Sequence, residues 1–85
     1  MKILAELSIP SGGVSAAVHT VNAEQLGPTF KLRIVQFSGE YGFYLIRYSS
    51  GGQELTDTLH DSVQDALVQA EFEYGVSPNL WLRLT

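Results

Sequence analysis

The sequence predicts an α+β fold, in which one α-helix packs on one face of an antiparallel β-sheet of five to six strands. Two observations lead to this fold class. Segments with the two-residue alternation typical of β-strands fill most of the chain. Residues 60–78 instead space their apolar side chains as a helix does, between a start signal and a stop signal. The predicted order is β-β-β-β-β-α-β, and packing the helix on the sheet buries both apolar surfaces.

The N-terminal residues are predicted to form a β-hairpin. Residues 2–9 alternate between apolar and polar side chains, with Leu4 as the exception. Residues 10–13 (PSGG) have the composition of a turn. Residues 14–21 (VSAAVHTV) are then predicted to be the second strand, although their two alanines also favour a short helix.

A meander of three strands is predicted next. In residues 29–37 the alternation changes phase at Val35, which predicts either a β-bulge or a strand that is buried on both faces. A turn at 38–42 follows. Residues 43–48 (FYLIRY) are apolar on both faces except for Arg47, as expected for an interior strand.

A second turn and two further strands complete the predicted sheet. Residues 49–52 (SSGG) form the turn, and residues 53–59 carry the chain toward the helix. After Pro78, three leucines alternate with Trp81 and Arg83, which predicts a last strand near the C-terminus.

The helix has recognisable ends. Ser62 followed by Asp65 has the spacing of a capping box, in which the side chains bind free backbone N–H groups of the first turn. Asp61 followed by Gln64 has a similar spacing, so the helix is predicted to start at one of these two positions. Gly75 can adopt the left-handed conformation that ends a helix, and Pro78 prevents the helix from continuing. The side chains predicted to face the sheet are Val63, Ala66, Leu67, Ala70 and Tyr74.

Length and composition predict a single domain over residues 1–85. Hydrophobic residues make up 45% of the chain, which is typical of a folded protein. The chain has no cysteine, which excludes disulfides and thiolate metal sites. It has no apolar run long enough to cross a bilayer, and Glu6 interrupts the N-terminal apolar run, which argues against a signal peptide. We therefore expect a cytoplasmic protein without a cofactor.

The net charge of −4 is unevenly distributed. Residues 1–50 carry +1 (Lys2, Lys31, Arg33 and Arg47 against Glu6, Glu24 and Glu40). Residues 51–85 carry −5 (Arg83 against Glu54, Asp57, Asp61, Asp65, Glu71 and Glu73). The chain as a whole lacks the cationic surface that nucleic-acid binding requires. A basic protein is the expected partner.

The exposed side of the helix is the predicted partner-binding surface, made of Asp61, Asp65, Glu71, Glu73 and Phe72. A run of charge is usually a solvated helix face. The functional interpretation is an acidic surface matched to a basic partner, because complementary charge speeds encounter and excludes wrong partners. Phe72 supports it, since this aromatic residue lies off the main apolar stripe. The leading hypothesis is therefore a non-catalytic protein-binding module.

A second hypothesis places a polar site at the junction of strand and helix. Asp57 and His60 supply a carboxylate and an imidazole there, which would suit a small-molecule-binding protein or a minor enzyme. The two side chains converge only if the strand bends between them. His19 is the one further histidine, so no metal site is predicted, because such sites need three or four ligands. The alternative is that both residues make ordinary turn and capping contacts.

A third hypothesis concerns the sheet. Lys31, Arg33 and Arg47 could share its outer surface with Tyr44 or Tyr48. Cations that bind phosphates beside rings that stack on bases are typical of single-stranded nucleic-acid binding.

The predicted helix is too small to cover the whole apolar surface of the predicted sheet. One helix would have to pack on up to six strands. Either the sheet curls into a half-barrel, or its uncovered apolar surface pairs with another copy of the chain in a homodimer.

Residues 56–76 (TDTLHDSVQDALVQAEFEYGV) also resemble a known pattern. The pattern is a strand that ends in Asp-Thr-x-His, then a capped helix that ends in Gln-Ala-x-x-Glu-aromatic-Gly. It is found in short acidic bacterial proteins of unknown function, some of them immunity or antitoxin-like. The resemblance covers about a quarter of the chain and implies a bacterial protein, with inhibition of a toxin as one function.

Overall fold

The computed structural model describes residues 1–14, 20–21, 24–25 and 27–84, and these form an α+β fold with one α-helix and one five-stranded antiparallel sheet. The elements are β1 (Lys2–Gly13), β2 (Thr20–Val21), β3 (Glu24–Gln25), β4 (Thr29–Gln36), β5 (Phe43–Tyr48), β6 (Glu54–His60), α1 (Val63–Tyr74), a 3-10 helix (Pro78–Leu80) and β7 (Leu82–Arg83). The five-stranded sheet has the order β6-β5-β4-β1-β7, and β2 pairs with β3 separately. The predicted fold class is confirmed.

The predicted N-terminal hairpin is wrong. Residues 10–13 belong to β1 and do not form a turn; β1 pairs with β4 and β7, and the described residues Thr20 and Val21 pair with β3 instead. The register against β4 shifts between Ser8 and Gly13, and Gly12 has a φ of 76°. An irregular strand therefore accommodates the proline and glycines that suggested a turn.

The choice between strand and short helix within residues 14–21 is only partly tested. Residues 15–19, which include His19, lie outside the described residues. Thr20 and Val21 form β2, which pairs with Glu24 and Gln25 of β3.

Strands β4, β5 and β6 form the predicted meander. Ile34 and Val35 are both fully buried, and the register between β4 and β5 runs without a shift. Val35 therefore belongs to a strand that is buried on both faces, and the irregularity at this point lies in β1, whose register against β4 shifts between Ile3 and Ala5. The first turn is closed by a 3.1 Å hydrogen bond from the Glu40 N–H to the Phe37 carbonyl, and the second by a 3.0 Å bond from the Gly52 N–H to the Ser49 carbonyl.

The helix begins and ends where its signals predict. Ser62 is the N-cap, and its Oγ accepts a 3.0 Å hydrogen bond from the Asp65 N–H. Gly75 ends α1 with a φ of 69°, and its N–H donates to the Glu71 carbonyl at 2.8 Å. In the described part of the chain no helix has the length and hydropathy needed to cross a membrane.

The core lies between α1 and one face of the sheet. Its buried residues are Ala5, Leu7, Leu32, Ile34, Leu45, Ala66, Leu67, Ala70 and Trp81. The predicted inward residues Val63 and Tyr74 pack against this cluster. We call the opposite side of the sheet the outer face; by alternation and register it carries Ile3, Glu6, Ser8, Lys31, Arg33, Val35, Tyr44, Ile46, Tyr48, Glu54, Asp57 and Leu59.

Candidate functional site

The exposed side of α1 combines an apolar pair with carboxylates. Val68 and Phe72 lie one helical turn apart on the side opposite the core, and they are 51% and 65% exposed. Asp61, Asp65 and Glu71 are exposed around them. We call these five residues the helix surface. Neither Val68 nor Phe72 contributes to the core, so packing within the chain does not explain apolar side chains at these two positions.

Glu73 does not belong to the helix surface, and its prediction as a partner contact is wrong. It follows Ala66 by seven residues and Ala70 by three, which places it on the buried face of α1, with 2% of its surface exposed. The guanidinium of Arg47 on β5 meets its carboxylate there. Arg47 Nε lies 3.0 Å from one carboxylate oxygen and Nη2 lies 2.5 Å from the other.

Arg47 is also on the other side of the sheet from where the nucleic-acid hypothesis placed it. It is 1% exposed and lies under α1, so it cannot contribute to the outer face. Its Nη1 donates to the Leu45 carbonyl at 3.1 Å and its Nη2 to Thr58 Oγ1 at 3.3 Å. Gln69 Nε2 donates to the Glu73 carboxylate at 2.7 Å. This buried network ties α1 to β5 and β6.

The structure does not bring Asp57 and His60 together. Strand β6 is continuous from one to the other, so Asp57 is exposed on the outer face while His60 lies on the side of α1. His60 Nε2 lies 2.7 Å from Thr58 Oγ1. Burial, and next the positive charge of Arg47, lower the pKa of His60. Among the described residues no three His, Cys, Asp or Glu side chains cluster in a way that could hold a metal ion.

One of the predicted cations, Arg33, contacts an aromatic ring on the outer face, and Lys31 is paired in register with the same tyrosine. The Arg33 guanidinium lies 5.2 Å from the centre of the Tyr48 ring. Glu6 binds both cations, with Arg33 Nε at 2.8 Å and Lys31 Nζ at 3.5 Å from its carboxylate. The hydrogen bond from Arg33 lowers the pKa of Glu6. A shallow cavity of about 200 Å³ lies beside these side chains.

Tyr44 is engaged differently from Tyr48. Its ring contacts Phe37 edge to face, with the ring centres 5.3 Å apart and the planes at 74°. The outer face therefore brings together Lys31, Arg33 and Tyr48 from the predicted set.

Two carboxylates lie at the other side of the outer face. Glu54 and Asp57 are both exposed on β6. Partial burial, and next a hydrogen bond and charge repulsion from Asp57, raise the pKa of Glu54. Neither carboxylate forms a salt bridge with a cation of the described chain.

Sequence reasoning missed Val68 and the buried ion pair. Val68 precedes Phe72 by four residues, so the apolar pair was visible in the helical spacing. Glu73 falls in the same spacing as Ala66 and Ala70, which was a signal for burial.

Comparison with known proteins gives no match to this chain. No family model, no curated protein and no solved structure matches it. The resemblance of residues 56–76 to short acidic bacterial proteins stays a prediction, and conclusions about function rest on the surfaces described above.

Proposed function

We propose that this chain is a non-catalytic protein-binding module whose helix surface docks on a basic partner protein. The observation that carries the proposal is the exposed pair Val68 and Phe72 on the side of α1 that faces away from the core. An amphipathic arrangement on a solvent-facing helix suits insertion of its aromatic side chain into a pocket of a partner. Phe72, which is 65% exposed, is the anchor of this interface.

The charge around the pair specifies the chemistry of the partner. Asp61, Asp65 and Glu71 surround the apolar centre, and residues 51–85 carry a net charge of −5. An apolar centre with a charged rim is the usual composition of a protein interface. Anionic rim residues attract a cationic surface at long range and repel an acidic one, which raises the association rate and selects the partner.

Within this class, the resemblance of residues 56–76 favours inhibition of a toxin. An immunity or antitoxin-like protein has to bind fast and tightly, and an acidic surface suits a basic enzyme. The cytoplasm is the compartment where such an inhibitor would meet its target.

The outer face is a weaker basis for single-stranded nucleic-acid binding. Lys31 and Arg33 do lie near Tyr48, but Glu6 binds both cations and opposes a phosphate there. With Arg47 buried, two cations remain for a backbone that carries one charge per nucleotide.

The experiment uses the proteins encoded by the neighbouring genes as probes. Each is co-expressed with the tagged chain, and association rates and Kd are measured by surface plasmon resonance at several salt concentrations. Phe72→Ala should weaken binding about ten-fold or more, as expected for a buried anchor. The double variant Asp65→Lys/Glu71→Lys should slow association about ten-fold at low salt.

Glu40→Lys is the matched control, because Glu40 is exposed in the turn after β4 and lies outside the helix surface. This control variant should leave the association rate and the Kd nearly unchanged. Binding by the Phe72 and double variants that equals wild-type binding, with their circular dichroism spectra intact, would exclude the helix surface as the site.

A further inference from the structure

The outer face has a charge pattern that changes sign across the sheet. Three rows of laterally paired residues cross strands β4, β5 and β6 in that order: Lys31–Tyr48–Glu54, Arg33–Ile46–Asp57 and Val35–Tyr44–Leu59. In the first two rows β4 supplies a cation and β6 a carboxylate, and in the third both are aliphatic. Strand β5, which lies between them, supplies an aromatic or aliphatic side chain in every row.

We propose that the outer face is the interface of a homodimer, in which a second copy packs face to face about a two-fold axis that runs along β5. Such an axis places β4 of one copy over β6 of the other at the same height along the strands. Lys31 then faces the second copy's Glu54, and Arg33 faces its Asp57. Leu59, which is 58% exposed, faces the second copy's β4 at the level of Val35, and the half-buried Tyr44 and Tyr48 of the two β5 strands meet at the axis. The pattern is self-complementary, as a two-fold interface requires.

Within one copy, the cations on β4 and the carboxylates on β6 do not neutralise each other. Lys31 and Arg33 share the one carboxylate of Glu6, which leaves a net positive charge there. Glu54 and Asp57 repel each other, and no cation of the described chain forms a salt bridge with them. In the dimer, the net positive charge around Lys31 and Arg33 of each copy lies opposite Glu54 and Asp57 of the other copy. The two-fold axis produces this contact twice.

Part of the apolar surface of the outer face is uncovered, although Val35 and Ile46 are already buried by their neighbours, with 0% and 3% of their surface exposed. Leu59 is 58% exposed and Phe37, which contacts Tyr44, is 37% exposed. The only α-helix of the described residues lies on the opposite side of the sheet. Two sheets that pack face to face lie about 10 Å apart, a gap that Lys, Arg and Glu side chains from both sides can bridge.

A charge-swap experiment tests the axis as well as the interface. Sedimentation velocity over a concentration series measures dimerisation of the wild-type chain, of Lys31→Glu and of Glu54→Lys. Each variant alone places like charges opposite each other twice, so its dimer should weaken at least about ten-fold. In an equal mixture of the two variants, both contacts have opposite charges, so the mixed dimer should form with nearly wild-type affinity.

The control is Glu71→Lys, which makes the same charge change on the helix surface and should leave dimerisation unaltered. Thermal unfolding followed by circular dichroism verifies that each variant is folded. A wild-type chain that stays monomeric at every concentration overturns the proposal. So does a mixture of folded variants that fails to recover the dimer. Partner binding by the helix surface is measured separately, so failure of one proposal does not imply failure of the other.

Discussion

Replacing Glu73 with glutamine should destabilise the fold far more than the same replacement at Glu71. Glu73 is 2% exposed and neutralises Arg47, which is 1% exposed. Glutamine keeps the shape of the side chain but leaves the guanidinium buried without a counter-charge. Removing one partner of a buried ion pair costs about 3–5 kcal/mol. Since a chain of 85 residues has a total stability of about 4–13 kcal/mol, the loss is a large share of it.

Urea unfolding followed by circular dichroism measures this difference, with the m-value as a check that the two-state assumption holds. Glu71→Gln is the control and should change stability by less than about 0.5 kcal/mol, because Glu71 is exposed on the same helix. A Glu73→Gln variant within about 1 kcal/mol of wild type would refute the reasoning.

The double variant Arg47→Met/Glu73→Met separates charge from packing. It removes both charges together, and replacement of a buried pair by apolar side chains of similar volume is often close to neutral. The groups that lose a hydrogen-bond partner include the Leu45 carbonyl, Thr58 Oγ1 and Gln69 Nε2. Gln69 is only partly buried and can bind water, so the double variant should be more stable than Glu73→Gln.

Two further predictions concern His60 and Gly42. The pKa of His60 is lower in the folded state than its ordinary value of 6.5, so the unfolded state binds more protons. The stability that His60 contributes above the unfolded pKa is therefore lost as the pH falls through the folded pKa. His60→Gln should therefore flatten the pH dependence of unfolding between about pH 5 and pH 7, and an unchanged slope would contradict this. Gly42→Ala should destabilise the chain by about 1–3 kcal/mol, because a φ of 106° is strained for alanine and a Cβ would lie 3.3 Å from the His60 carbonyl oxygen, besides displacing the exposed Leu59 side chain. Gly39→Ala is the control with φ of 77° and no atom within 4 Å, and equal melting temperatures of the two variants would exclude the steric explanation.

Local signals predicted the helix and failed for the first strand. The ends of α1 depend on Ser62 and Gly75, whose contacts lie within one turn of the helix, so sequence spacing is enough to find them. The pairing of β1 depends on β4, and Leu7 pairs with Leu32, which is 25 positions away in sequence. No local pattern distinguishes that pairing from a hairpin at residues 10–13.

The sequence predicted the exposed residues of the candidate site but not the burial of Glu73, because burial depends on a contact that is distant in sequence. The exposure of Asp65, Glu71 and Phe72 follows from helical periodicity alone. The burial of Glu73 needs a counter-charge, and Arg47 comes from a strand 26 residues away in sequence. Periodicity placed Glu73 on the buried face and its charge suggested the surface; the tertiary contact decides in favour of burial.

The two proposed interfaces are geometrically compatible because they lie on opposite sides of one sheet. The ion pair between Arg47 and Glu73 anchors α1 by its buried side, which leaves Val68 and Phe72 facing solvent. A dimer formed through the outer face buries neither of these side chains and places its two helices on its two outer sides. One globular partner then contacts one helix, so the dimer binds two partners independently and gains no avidity from a monovalent one. Dimerisation in this arrangement covers the sheet and leaves partner recognition to each helix.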